Sequence, residues 1–169
     1  SGALLIPLSA LDHQGMAFGA FRASFNLRVF GGTGADGVSL SYGMLPPAAV
    51  GEHGAGLGLR VSFLTNDRCP PPLQDARCAT LVVRYSARVL VSVPLAPSFR
   101  THVRRMPAVV EYTAAGLHVA HAGVVYVPRG SLPIDGWAPS AAWSIGLGAR
   151  SGLETDVHEI SDLEIELGS

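Results

Sequence analysis

The sequence predicts an all-β protein, an antiparallel β-sandwich or jelly roll, and three observations carry that prediction. Long stretches alternate apolar and polar residues with a period of two. Turn residues, among them 20 glycines and 12 prolines in 169 residues, punctuate those stretches at close spacing. No segment holds helical periodicity for more than two turns, so roughly ten strands at this spacing must pack as sheets.

The elements follow in order. Residues 1 to 15 hold Leu4, Leu5, Ile6, Leu8 and Leu11 ahead of Asp12-His13-Gln14-Gly15, an edge strand ending in a turn. Phe21, Ala23, Phe25, Leu27 and Val29 then oppose Arg22, Ser24, Asn26 and Arg28 in a half-buried strand. Gly31-Gly32-Thr33-Gly34-Ala35-Asp36-Gly37 is a turn whose glycines permit positive φ and close backbone approach. Val38, Leu40 and Tyr42 alternate with Ser39 and Ser41 directly after it, which sets Asp36 where loop becomes sheet. An acid at that junction serves equally as a ligand hook or as a turn-former.

Met44 to Gly56 is an irregular loop, because its prolines and glycines do not suit a central strand. Leu57, Leu59, Val61, Phe63 and Thr65 form the next strand, ending in Asn66-Asp67-Arg68, which reads as a turn rich in oxygen ligands. Leu81 to Val91 is a long strand or a hairpin pair. A strand near His102 to Tyr112 turns at Thr113-Ala114-Ala115-Gly116 into Leu117 to His121, and Val124 to Val127 follows. Pro128 to Ser140 is loop. Trp143, Ile145, Leu147 and Ala149 mark another strand, and the last runs from about Val157 to Leu167.

The totals bound the function. The chain is long enough for one domain, residues 1–169, with a substantial core, and we expect it to be a piece excised from a larger protein. A net charge of −1, with all 12 basic residues arginine, gives no global attraction to nucleic acid. No run approaches the roughly 20 apolar residues of a membrane span, so this segment is not expected to insert in a bilayer. Cys69 and Cys78 flank a proline-rich loop of eight residues; they close a disulfide if their Cβ atoms meet and are two free thiols otherwise.

A family resemblance lies in three successive stretches, Gly34-Ala35-Asp36-Gly37-Val38-Ser39-Leu40, Gly54-Ala55-Gly56-Leu57-Gly58-Leu59 and Val61-Ser62-Phe63-Leu64-Thr65-Asn66-Asp67. Their order and spacing resemble the concanavalin A-like lectin/glucanase superfamily, the legume-type lectin jelly roll. The ending Gly146-Leu147-Gly148-Ala149-Arg150-Ser151-Gly152, followed by Asp162-Leu163-Glu164-Ile165, is similar to lectin-like modules of large extracellular multidomain proteins. The resemblance implies a non-catalytic recognition module, extracellular or on the cell surface, whose partner is a glycan or glycoprotein. The alternative is the same jelly roll serving protein interaction or structure, with another protein domain as partner. Carried over residue by residue, the sugar-binding roles fall on Asp36, on the backbone of Gly54 or Gly56, and on Asn66. Trp137, in a proline- and glycine-rich loop, is the candidate to stack on a sugar ring, and Trp143 belongs to the core.

The departures from the family are specific. Metal-bearing lectins place acids at the positions of Ser62 and Leu64, and neither residue replaces a carboxylate as a ligand for hard cations. The expectation is therefore no resident cofactor, with Asp67 and Asp75 the weak candidates for a single loosely bound calcium. A Cys69–Cys78 bridge would then stiffen the loop that metals stiffen in those lectins. The glucanase side of the superfamily needs two carboxylates facing one cleft. Glu159 and Asp162 fall on opposite faces of a regular strand, so catalysis is not expected. His118 and His121 likewise point to opposite faces and do not form a metal pair, and no nucleophile elbow or phosphate loop is present.

Overall fold

The structure is a computed structural model that describes residues 2–8, 17–34, 36–46, 51–68, 77–151 and 155–168, with the backbone alone at 66–68 and 77. Its strands are β1 (Gly2–Pro7), β2 (Ala20–Phe30), β3 (Gly37–Met44), β4 (Leu57–Arg68), β5 (Arg77–Tyr85), β6 (Arg88–Pro94), β7 (Met106–Thr113), β8 (Gly116–His121), β9 (Val124–Val127), β10 (Ser144–Arg150) and β11 (Val157–Gly168). One short 3-10 turn, Pro97–Arg100, carries the chain from β6 to β7. Two antiparallel sheets result, a six-stranded one ordered β1-β10-β3-β4-β5-β6 and a five-stranded one ordered β11-β2-β7-β8-β9. The predicted sandwich is therefore the observed architecture.

Alternation decides what lies between the sheets. Phe21, Phe25, Leu27 and Val29 of β2 face Val38, Leu40 and Tyr42 of β3 and Val61 and Phe63 of β4, all inside one core. Tyr42 is fully buried and donates its hydroxyl to the Phe18 carbonyl at 2.7 Å, while burial pushes its pKa up to about 12. Leu81 to Val91 resolves as the β5–β6 hairpin, with Ser86 at φ 52 in its turn.

Two sequence expectations are corrected here. Asn66-Asp67-Arg68 is strand rather than turn: β4 runs on through Arg68, with an irregularity between Leu64 and Asp67, and Asp67 pairs with Cys78. Trp137 is not an open stacking platform. Its ring packs at 3.9 Å from the Tyr112 centroid and near Tyr42, Tyr85 and Trp143, and its N–H donates to the Gly19 carbonyl at 2.7 Å. A tryptophan in a loop covering the open end of a sandwich has more apolar area to bury there than anywhere in solvent. Trp143 lies in the core as its alternation predicts.

Both faces of β3 are buried, which a two-layer sandwich alone does not produce. Residues 51–55 lie over the outer face of the six-stranded sheet. Ser39 donates to the Gly51 carbonyl at 2.5 Å, and the Ala55 N–H donates to Ser41 at 3.2 Å.

Candidate functional site

The site is built on the turn that precedes β3. Gly31, Gly32 and Gly34 have φ of 70, 57 and 102, values that L side chains rarely adopt. Space imposes the same choice at Gly32, where a Cβ would lie 1.6 Å from the Thr155 carbonyl oxygen. That carbonyl accepts from the N–H groups of Thr33, at 2.8 Å, and Gly34, at 3.3 Å, and the Thr155 N–H returns a bond to the Thr33 hydroxyl at 3.2 Å. The turn is thus clamped to the segment entering β11, in the other sheet.

Arg100 completes the clamp. Its guanidinium lies against Gly34, donates to the Gly31 carbonyl at 3.1 Å, and grips Asp156 through two bonds of 2.7 and 3.2 Å. The Asp156 side chain is wholly buried and that of Arg100 is 32% exposed. A buried carboxylate needs such a partner, and the planar fork of arginine matches it bidentately.

Asp36 leaves this turn in a defined position. Its N–H donates to the Arg150 carbonyl at 2.9 Å, and its own carbonyl accepts from Thr65 at 3.0 Å. Both neighbouring strands, β10 and β4, therefore hold its backbone. Its carboxylate remains one-third exposed, with the Arg150 Nε 4.0 Å away. The Thr65 bond brings Asn66, the next residue of β4, to the same end of the sheet as Asp36; only the backbone of Asn66 is described.

The glycines of the second stretch are placed elsewhere. A Cβ on Gly54 would meet the Ser41 hydroxyl, and one on Gly56 would meet the Met44 carbonyl. Ser41 and Met44 stand five and eight residues along the chain from Asp36, spans of about 17 and 27 Å at the usual strand rise. The expectation that Gly54 or Gly56 joins Asp36 is therefore corrected. The loop comes nearer to Asp36 through Gly51, which is held by Ser39.

The positions that carry metal ligands in the resembling lectins hold Ser62, fully buried with a hydroxyl that has no partner among the described residues, and Leu64, 2% exposed. A neutral hydroxyl and a hydrocarbon do not fit a two-cation site. Among the described residues no group of three or more His, Cys, Asp or Glu side chains converges. Asp75 and Cys69 lie outside the described residues, and of Asp67 the backbone alone is described.

Glu159, Asp162, His118 and His121 are engaged by neighbouring groups. Glu159 pairs with Arg105 at 3.3 Å and with Arg28 at 3.9 Å, whereas Asp162 accepts from Asn26 at 2.7 Å and from Ser161 at 2.9 Å. Asp162 has φ 54 and lies where the β11–β2 register shifts, so the strand is not regular at that point. Asn26 and Ser161 hold its carboxyl below the usual range. His118 bonds the Val127 carbonyl at 2.9 Å, while His121 is buried against Phe99 and His102. His158 borders a cavity of about 260 Å³ shared with Arg150, Ser151 and Asp156, and its Nε2 is buried without a partner. Burial lowers its pKa against the opposing pull of Asp156 and Asp36.

Sequence reasoning missed Arg100, Thr155 and Asp156. A three-glycine turn signals that something must approach its backbone closely, but the partners lie 69 or more residues from the groups they bond in it and carry no local motif.

No protein-family model matches the chain, and no curated protein matches its sequence. Solved structures do match in fold. The exoplasmic/lumenal domain of VIP36, in its Ca²⁺- and mannose-bound form, aligns with TM-score 0.61 and 16% identity over 92% of this chain and 70% of that one. A tetrameric galectin from the ball sponge Cinachyrella sp. aligns with TM-score 0.58 and 16% identity over 97% and 99%. The potassium-bound carbohydrate recognition domain of Emp46p aligns with TM-score 0.60 and 12% identity over 92% and 75%. At these identities the likeness is one of fold, and the fold is the concanavalin A-like lectin jelly roll.

Proposed function

We propose that this chain is a non-catalytic carbohydrate-recognition module that binds a glycan or glycoprotein at the Asp36–Asn66 end of the six-stranded sheet. The observation that carries the reading is the backbone bracing of Asp36 by Arg150 and Thr65, which leaves its carboxylate partly open at the end of the sheet that the Asn66 backbone shares. A carboxylate fixed in this way accepts hydrogen bonds from vicinal sugar hydroxyls without paying to be ordered, and an asparagine amide supplies both a donor and an acceptor. The likeness in fold to a mannose-bound domain of VIP36 and to the carbohydrate recognition domain of Emp46p supports the same reading. So does the lumenal placement of the VIP36 domain, which favours a secretory-pathway, extracellular or cell-surface location for this chain.

A single calcium held by Asp67 and Asp75 belongs to the proposal as a secondary element, as does a Cys69–Cys78 bridge. The β4–β5 ladder brings the backbones of Asp67 and Cys78 opposite one another. Binding to a glycan array that is lost in Asp36→Ala and Asn66→Ala, with both variants folded, is the expected result. Loss of the charge-assisted bonds to Asp36 corresponds to about 1.5–3 kcal/mol, or at least tenfold in affinity, and loss of the neutral amide's bonds in Asn66→Ala to about 0.5–1.5 kcal/mol. Silence across a broad array, with and without added calcium, would reject the lectin reading in favour of a protein-interaction or structural module.

A further inference from the structure

The outer face of the six-stranded sheet carries a feature that the Asp36 end does not use. Register places Ser41, Arg60 and Arg84 side by side across β3, β4 and β5, all pointing away from the core. Two like charges directly opposite one another on a sheet repel. Neither arginine is ion-paired with any described residue, and the acid of the covering loop, Glu52, lies instead 3.5 Å from His53. Arg60 donates through one terminal nitrogen to the Ser86 carbonyl, and Gly54 packs on its aliphatic stem. The Arg60 Nε and one terminal nitrogen of Arg84 are buried without a partner among the described residues. Burial first, and the charge of Arg84 second, lower the Arg60 pKa, as expected where positive charge is concentrated and partly desolvated.

Apart from the Ser86 carbonyl, this pair meets no acceptor at its buried Arg60 Nε and Arg84 terminal nitrogen among the described residues. We infer that Arg60 and Arg84 form an oxyanion site that takes a sulfate or phosphate ester carried on a saccharide. A tetrahedral oxyanion offers several acceptor oxygens to two guanidinium forks, and its charge offsets their repulsion. The saccharide half of this inference rests on the lectin reading, and the oxyanion half does not. Ser41, beside Arg60, is five residues from Asp36, about 17 Å of strand, so a glycan reaching both would be an oligosaccharide.

The test follows the arginine Nε–H signals by NMR during titration with sodium sulfate, glucose 6-sulfate, glucose 6-phosphate and glucose. Saturable shifts at Arg60 and Arg84 with sulfate and with at least one ester, none with glucose, and at least tenfold weaker binding in Arg84→Gln are expected. Which ester binds more tightly distinguishes sulfate from phosphate. Arg84→Glu should abolish binding yet raise Tm, because opposite charges then face each other; an arginine serving only as structure would lower Tm on the same change. Linear, non-saturating drift with every anion, or saturation unchanged in Arg84→Gln, overturns the site. Sulfate binding without either ester overturns the saccharide half. Silence on the glycan array with saturable sulfate binding rejects the lectin reading and leaves the oxyanion site standing.

Discussion

Replacing Arg100 by methionine should be among the most damaging single changes near the glycine turn. The substitution keeps most of the aliphatic stem and removes the fork, so two bonds to Asp156 of 2.7 and 3.2 Å and one to the Gly31 carbonyl disappear together. Breaking a buried pair costs about 3–5 kcal/mol because one charge is left uncompensated. Here Asp156 is wholly buried but Arg100 is 32% exposed, so water can reach part of the vacated space. That discount brings the expected loss to about 2–3 kcal/mol. For a chain of this size it corresponds to a fall in Tm of roughly 5–10 °C. Urea unfolding of the wild type and Arg100→Met measures it directly, and Asp156→Asn with the double variant completes the cycle. Because the penalty lies mainly in the stranded carboxylate, the double variant should recover at least about 1 kcal/mol relative to additivity. A loss below about 0.5 kcal/mol, or strict additivity, would refute the claim that this pair clamps the turn. The amides of Thr33 and Gly34, which donate to Thr155, should exchange faster in the single variant, because the same clamp holds them.

Two further outcomes follow from buried polar groups. Burial lowers the pKa of His121, with a weaker opposing pull from its bond to Leu27 and reinforcement by His102, and burial also lowers that of His158. Both are therefore more easily protonated unfolded than folded, so stability is fully present above the unfolded value of about 6.5 and is lost as pH falls from there towards each folded pKa. Urea midpoints should be flat above about pH 7 and decline between about pH 6.5 and 5, with a smaller slope in His121→Leu; a flat profile across that range would contradict the burial argument. Ser62→Ala removes a buried hydroxyl that has no partner, so it should be neutral or stabilising by up to about 1 kcal/mol in the same assay, and a clear destabilisation would count against it.

How much was legible in the sequence divides along a physical line. Period-two alternation marks the strands because burial of one face is a local property of the chain, and β2, β3 and β10 were readable residue by residue. The turn at Gly31–Gly37 was legible for the same reason, since positive φ is imposed on single residues. What failed was long-range placement. Trp137 in a loop looks solvent-facing until the loop is seen to close over Tyr42 and Tyr112. Gly54 and Gly56 were assigned beside Asp36 through the family resemblance, yet they lie over Ser41 and Met44 of β3. Register cannot be counted from the sequence across a loop of unknown path.

The same division explains how the Asp36 turn is braced without the metal ligands of the resembling lectins. In the resembling family, cations fix the acid and the asparagine, and the sequence therefore directs attention to Ser62, Leu64 and the cysteine loop as the place to look for a substitute. The structure puts the bracing on the opposite side of the turn. Thr155 receives two backbone bonds from it, Arg100 packs against Gly34 and reaches Gly31, and Asp156 anchors Arg100 from within the five-stranded sheet's entry. On the β4 side the only tie to Asp36 among the described residues is the Thr65 backbone bond. A metal would order the Asp36 and Asn66 sides together, whereas this clamp orders the Asp36 side alone. Affinity should accordingly be limited by how well the Asn66 segment is held, because any motion there is paid for on binding. Perturbing residues 69–78 should then weaken glycan binding more than it lowers Tm, while perturbing Arg100 should lower both.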